Sequence, residues 1–121
     1  MKKFYVVIAG GRDFDDYDLL ERKCDYYLKD KIAEGYSIVI VSGRARGADT
    51  LGERYAKKRG FEIDAHPANW DLGKQAGYLR NKEMANVADA LIAFHDGSSK
   101  GTKHMIDLAK KKQLLIRIVS Y

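Results

Sequence analysis

Three short glycine-bearing stretches each follow an apolar run. They are Gly10-Gly11-Arg12-Asp13, Ser42-Gly43-Arg44-Ala45-Arg46-Gly47-Ala48-Asp49, and Asp96-Gly97-Ser98-Ser99-Lys100-Gly101-Thr102. Glycine has no Cβ, so its backbone adopts positive φ and approaches a ligand closely. Where such a stretch opens a helix, the first amides and the helix dipole point at an anion. The chemistry on offer is the cradling of phosphate. The competing reading is that the glycines serve only tight strand-to-helix turns. None of the three spells a Walker A or a GxGxxG dinucleotide fingerprint. A generic phosphate-bearing small molecule is therefore better supported than ATP or NAD.

Arg80 adds a cation. In a helix expected over Gly77–Ala88, residues 80, 84, 87 and 88 share one stripe, and Met84, Val87 and Ala88 make it apolar. The stripe should face the core, with Arg80 at its N-terminal turn. A guanidinium there needs an anion, because burying it unpaired is costly. A bound phosphate held by bidentate contacts would supply one. So would a structural pair with Asp13, Asp49 or Asp96. Asn81 follows Arg80 and joins it as a candidate binding residue.

Other residues carry weaker signals. Trp70, the sole tryptophan, stands in the long connection 66–76. It is suited either to stacking on a base or to plugging the sheet edge. His66, His95 and His104 lack metal-ligand spacing, and with one cysteine a zinc site is not expected. Asp13, in the run Arg12–Asp18, is placed to join a Mg²⁺ ion brought by a phosphorylated ligand, the one cofactor the sequence suggests. The other carboxylates of that run suit the cap and first turn of a helix. Ser42 has no GxSxG elbow and no nearby histidine, which argues against a serine nucleophile. Thr102, Met105, Ile106 and Ala109 form an inward stripe, so Met105 reads as a core or pocket-lining residue.

These residues need elements to position them. Five apolar runs, Phe4–Ala9, Ile38–Val41, Phe61–Ala65, Ala90–Phe94 and Leu114–Val119, do not alternate with polar residues. That pattern suits strands buried on both faces. Between them lie helix-period segments at about Tyr17–Ala33, Ala48–Arg59, Gly77–Ala88 and Thr102–Lys112. In the first, Leu20, Cys24, Tyr27, Leu28 and Ile32 share a face. Gly35 and Gly60 sit where helices should end. The alternation β-α-β-α-β-α-β-α-β implies an α/β, Rossmann-like, doubly wound fold. Its five-stranded sheet should be mainly parallel, with helices on both faces. In such sheets ligands bind beyond the carboxyl ends of the strands, where all three glycine stretches fall.

Composition narrows the class. The chain has 121 residues, 45% hydrophobic and 32% charged, which suits one domain over 1–121. The net charge of +5 is spread out. Its two clusters, Lys57–Arg59 and Lys110–Lys112, fall at expected helix ends, which favours solvated helix termini over a nucleic-acid patch. The apolar run Phe4–Ala9 is shorter than a signal-peptide core of about 7–15 residues, and no stretch has membrane-spanning length. The single Cys24 reads as a buried, inert thiol, and a reducing cytoplasm fits.

Together, GGRDF at 10–14, SGRARGAD at 42–49, the following LGERYA, PANW at 67–70, RNKEM at 80–84 and IAFHDGSSKGTKHMI at 92–106 resemble a known group. It is the YspA/cpYpsA-related branch of the SLOG superfamily, named for Smf/DprA and Lonely Guy proteins. The resemblance implies a Rossmann-like fold, a site for nucleotides or nucleotide-derived molecules, a bacterial or phage setting and a homo-oligomer. Lonely Guy enzymes cleave the N-glycosidic bond of nucleoside monophosphates. Their pattern has an arginine in an RKxxM-like segment and a glutamate three residues after the threonine of a GGxGT loop. Arg80 and Met84 match the first, and Gly101 and Thr102 the second, but Met105 stands where the glutamate is. Arg44 also departs from the branch, which usually has glycine there. It should place an extra cation in a phosphate-facing loop.

Three functions are compatible with these residues. The first is binding, for sensing or sequestration, of a nucleotide-derived small molecule without turnover. The second is a phosphoribohydrolase-like enzyme that uses Arg80 with another carboxylate, Asp96 or Asp13. The third is a DNA-associated protein, against which stand the missing aromatic RNA-binding platform and helix-turn-helix signature.

Overall fold

The computed structural model describes residues 2–121. Strands β1 (Lys3–Gly10), β2 (Ser37–Ser42), β3 (Glu62–Ala65), β4 (Ala90–His95) and β5 (Leu115–Ser120) alternate with helices α1 (Tyr17–Ala33), α2 (Ala48–Arg59), α3 (Ala76–Val87) and α4 (Lys100–Lys111). A 3-10 helix, Trp70–Gln75, leads into α3. All strand pairs are parallel, in the order β3-β2-β1-β4-β5. This is the doubly wound sheet expected. Winding reverses between β1 and β4, so the loops leaving those two strands diverge and open a crevice at their carboxyl ends.

Each sheet face carries its own core. On one side, Val6, Ile8, Ile40 and Phe94 pack against α1 and α2 through Leu20, Cys24, Leu28 and Tyr55. On the other, Val7, Val41, Leu91 and Ala93 pack against α3 and α4 through Met84, Ala85, Met105 and Ala109. Central strands apolar on successive residues are therefore covered twice, which an alternating strand would not permit.

Helix ends follow local chemistry. Asp16 caps α1 by accepting from the Leu19 amide at 3.1 Å, and Asp18 lies in the first turn. Ser99 caps α4, accepting from the Thr102 amide at 3.4 Å. Gly60 ends α2 with φ +74°, a left-handed conformation that costs glycine least. The cluster Lys57–Arg59 fills the last turn of α2, and Lys58 and Arg59 pair with Glu21 and Asp25 of α1. No helix among the described residues is long and apolar enough to cross a membrane.

Three expectations need correction. The outer strands β3 and β5 are not buried on both faces; Leu115 and Ile118 are about half exposed. Each has a neighbour on one side only, and an apolar run does not reveal that. Ile32 faces solvent in the last turn of α1. Val87 is also exposed, because the inward face of α3 runs through Arg80, Asn81, Met84, Ala85 and Ala88.

Candidate functional site

A cavity of about 430 Å³ opens at the carboxyl ends of the strands, between the loops that leave β1, β2 and β4 and the facing sides of α3 and α4. Ala9, Gly10, Gly11, Arg12 and Asp13 form its β1 wall. Ala45 and Asp49 come from the β2 loop, and Asp96 and Ser99 from the β4 loop. Arg80, Asn81 and Met84 line it from α3, and Gly101, Thr102 and Met105 from α4.

Arg80 is buried and joins two walls. Its Nη1 donates to the Gly43 carbonyl and its Nε donates to Asn81 Oδ1 at 3.1 Å. Asn81 Nδ2 in turn donates to the Gly101 carbonyl at 3.3 Å and sits 3.1 Å from His104 Nδ1. Neighbouring side chains of α3 thus tie the β2 loop to the start of α4. Arg80 forms no salt bridge among the described residues. Burial pulls its pKa below the usual arginine value, and the charge of Asp49 acts in the opposite direction. A guanidinium carries five N–H donors, so several remain for a ligand.

The carboxylates differ in state. Asp49 is buried, and desolvation raises its pKa to about 6, although the Ala45 amide donates to it at 3.1 Å and Arg80 lies close. Asp96 is held in a tight turn: Oδ1 accepts from the amides of Ser98 and Ser99 at 2.8 and 2.9 Å. Those bonds lower its pKa, so it is ionised at neutral pH. Asp13 accepts from the Tyr121 hydroxyl at 2.7 Å. Tyr121 lies edge-on to Phe14, which stacks on Phe94, so the end of β5 reaches back to brace the β1 loop.

The start of α4 faces the cavity. Of its first amides, Thr102's goes to Ser99 Oγ and Lys103's to the Ser99 carbonyl. A side chain at Gly101 would meet nothing within 4 Å, so the backbone there is open to an incoming group. Met105 is fully buried on the expected inward stripe with Thr102, Ile106 and Ala109, and it forms part of the wall.

Several candidates lie elsewhere. Ser42 is buried, donates to Glu53 at 2.6 Å and accepts from the Arg44 amide. Gly43 stands behind Arg80 instead of facing the void. Gly47 and Ala48 pack on the β1 loop, where the Ala48 amide donates to the Gly11 carbonyl at 3.3 Å. Gly97 turns the β4 loop at φ +92°, and Ser98 flanks it outside the lining. Arg44 overturns an expectation: it pairs with Glu53 at 3.3 Å and points away from the cavity. Its φ of +61° is a value glycine takes freely, and this turns the side chain outward. Sequence reasoning did not find Ala9, Ala45, Met84, Ser99 or Tyr121 as parts of this neighbourhood. Ser99 alone carried a signal, as a serine three residues before Thr102 at a helix start.

Comparison with known proteins agrees with this architecture. The profile of the YspA, cpYpsA-related SLOG family matches residues 4–73. The Gene 61 protein of Mycobacterium phage D29 is 43% identical over 113 residues, covering 88% of each chain. The chain belongs to the YspA, cpYpsA-related SLOG family. Among solved structures, DNA processing protein A (DprA) from Streptococcus pneumoniae superposes with a TM-score of 0.74 at 18% identity, and that from Helicobacter pylori with 0.66 at 20%. Each superposition covers 97% of this chain, which spans 50% and 65% of those two chains. In this SLOG chain the matched segment supplies the β1 and β2 walls. The α3 and α4 walls, with Arg80 and Gly101, lie beyond it.

Proposed function

We propose that the chain binds a nucleotide or nucleotide-derived small molecule in the cavity at the carboxyl ends of β1, β2 and β4. The observation that carries this reading is Arg80, a buried guanidinium facing a 430 Å³ cavity without a carboxylate pair. The phosphate sits between Arg80, Arg12 and the open backbone at Gly101. The residues best placed to contact the rest of the ligand are Gly10, Gly11, Asp13, Asn81, Asp96 and Thr102. Family membership and the single five-stranded sheet from Lys3 to Ser120 support one nucleotide-binding domain over 1–121. Met105, which offers no carboxylate where the resemblance to Lonely Guy enzymes calls for one, favours binding over turnover. No group of three His, Cys, Asp or Glu residues among the described ones is placed to hold a metal ion. A Mg²⁺ ion would rely on the ligand's phosphate oxygens for much of its shell, with Asp13 in support.

Calorimetry of the purified protein against a nucleotide panel tests the proposal. Binding should weaken at least about tenfold in Arg80→Ala, since a charge-assisted pair is lost. No binding across the panel by verified folded protein overturns it.

A second reading, cleavage of the N-glycosidic bond, draws on Asp13 and Asp96, both on the cavity wall. It requires release of free base from AMP, GMP or NAD-like substrates, lost in Arg80→Ala. Absence of release from all of them removes it.

A further inference from the structure

Beside the main cavity lies a second hollow of about 230 Å³. The two share Arg12, Arg80, Asn81 and Gly101 as a common wall. The second is completed by Trp70, Lys74, Gly77 and Tyr78. Resting on the reading of the main cavity, we infer that this hollow is a second subsite, which stacks the distal ring of a dinucleotide-class ligand whose phosphate lies on Arg80.

Trp70 is 58% exposed and sits on a 3-10 helix with no buried residue. A tryptophan held in water by the fold, beside a cavity, is placed for a ligand and not for the core. Its ring is accompanied by the Arg12 guanidinium, 5.9 Å from the ring centroid. Tyr78, 45% exposed, also lines the hollow and is braced edge-on by His104 at 4.5 Å. Gly77 forms the floor: even a Cβ there would stay 3.8 Å from Trp70 and 3.7 Å from Arg80 Nη2. The hollow thus offers two aromatic rings, three cations and a glycine without a side chain, and it is contiguous with the main cavity through Arg80.

The geometry sets the class of ligand. Arg80 lies at the junction, so a phosphate bound there has room for a nucleoside on each side. The two hollows together remain within the roughly 300–1,000 Å³ typical of small-molecule sites. A single strand would need a basic groove tracking several more phosphates. Here the cations at the hollow are Arg12, Lys74 and Arg80.

The test uses Trp70 as its own reporter, because it is the only tryptophan in the chain. Full-length protein is titrated with the four nucleoside 5′-monophosphates, with the corresponding 3′-5′ and 5′-5′ linked dinucleotides, and with ten-residue single strands. A dinucleotide should bind about tenfold or more tighter than its monophosphate, the scale of one stacked base. Dinucleotides should quench Trp70 fluorescence, and monophosphates should leave it nearly unchanged. Trp70→Ala should erase the dinucleotide advantage while leaving monophosphate affinity within about twofold, and Trp70→Phe should restore most of it. Because Trp70 is exposed, the variants should keep the wild-type circular dichroism and melting temperature.

Monophosphates that bind as tightly as every dinucleotide overturn the second subsite and leave the main cavity's reading intact. Failure of both classes overturns that reading as well. Single strands that bind far tighter than any dinucleotide overturn the inference in favour of nucleic acid. A change in oligomer mass in Trp70→Ala, with unchanged ligand preference, assigns the aromatics to a protein contact and likewise overturns it.

Discussion

Arg80 and Asp49 flank the space left by the missing side chain of Gly43 without forming an ion pair. A Cβ built there would lie 2.6 Å from Arg80 Nη1 and 2.9 Å from Asp49 Oδ2. The glycine does not touch the ligand cavity; it lets a guanidinium lie flat against backbone. Gly43→Ala should therefore displace Arg80 and weaken nucleotide binding at least about tenfold, with a stability cost of about 1–3 kcal/mol from overpacking. Calorimetric titration and chemical denaturation of one preparation separate the two effects.

Asp49 should make stability depend on pH in the less usual direction for a carboxylate. Burial raises its pKa from 3.8 to about 6. Below the unfolded value the group is neutral in both states and its contribution is fully present. As pH rises through about 6 the folded state must accept a buried charge, and the contribution is lost. The rise corresponds to about 3 kcal/mol. In Asp49→Asn the unfolding free energy, relative to wild type, should increase by about that amount between pH 4 and pH 7.5. Denaturant titrations at several pH values measure it.

The same carboxyl links binding to protons. A phosphodiester keeps constant charge over this range, so any pH dependence of its affinity reports on the protein. Affinity should strengthen from pH 7.5 to 5.5, and at neutral pH binding should take up protons as the anion disfavours ionised Asp49. Calorimetry in buffers of different ionisation enthalpy detects the uptake, and Asp49→Asn should abolish it.

Two glycines of the site should respond oppositely to alanine. A Cβ at Gly10 would lie 2.5 Å from the Phe94 carbonyl oxygen and 2.8 Å from Ala48 Cβ, atoms fixed by the sheet and α2. Gly10→Ala should cost about 1–3 kcal/mol or more. At Gly101 the space is empty and the residue is helical, so Gly101→Ala should keep or raise stability, by up to about 1 kcal/mol. It should nonetheless lower nucleotide affinity, because the added methyl projects where the phosphate is proposed to approach. Thermal melts with and without ligand show both.

Arg44 carries backbone strain that glycine would relieve. At φ +61° a residue with a Cβ costs about 1–2 kcal/mol, and the pair with Glu53 at 3.3 Å is partly exposed, so it offsets little of this. Arg44→Gly should be at least as stable as Arg44→Ala, which keeps the strain and loses the pair. Neither should change nucleotide affinity more than about twofold, since the side chain points away from the cavity. Paired denaturation and binding curves decide it.

The sheet was legible because the central strands are apolar on consecutive residues, a pattern that only two-sided burial explains. The exposure of β5 was not, because an edge strand and a central one can carry the same run. The inward direction of Arg80 followed from its helical spacing with Met84. Val87 was misplaced because α3 presents its 81/85 side to the core, a rotation the spacing alone leaves free. Arg44 was misjudged because side-chain direction in a loop depends on the sign of φ. Tyr121 gave no local sign at all: its bond to Asp13 joins residues 108 positions apart, and only the completed sheet brings them together.

The adjacent pair Arg80 and Asn81 holds the Gly43 carbonyl of the β2 loop and the Gly101 carbonyl at the start of α4 from one turn of one helix. A tilt of α3 would strain both bonds at once, so the seating of that helix on the sheet by Met84 and Ala85 sets the β2 loop and the start of α4 together.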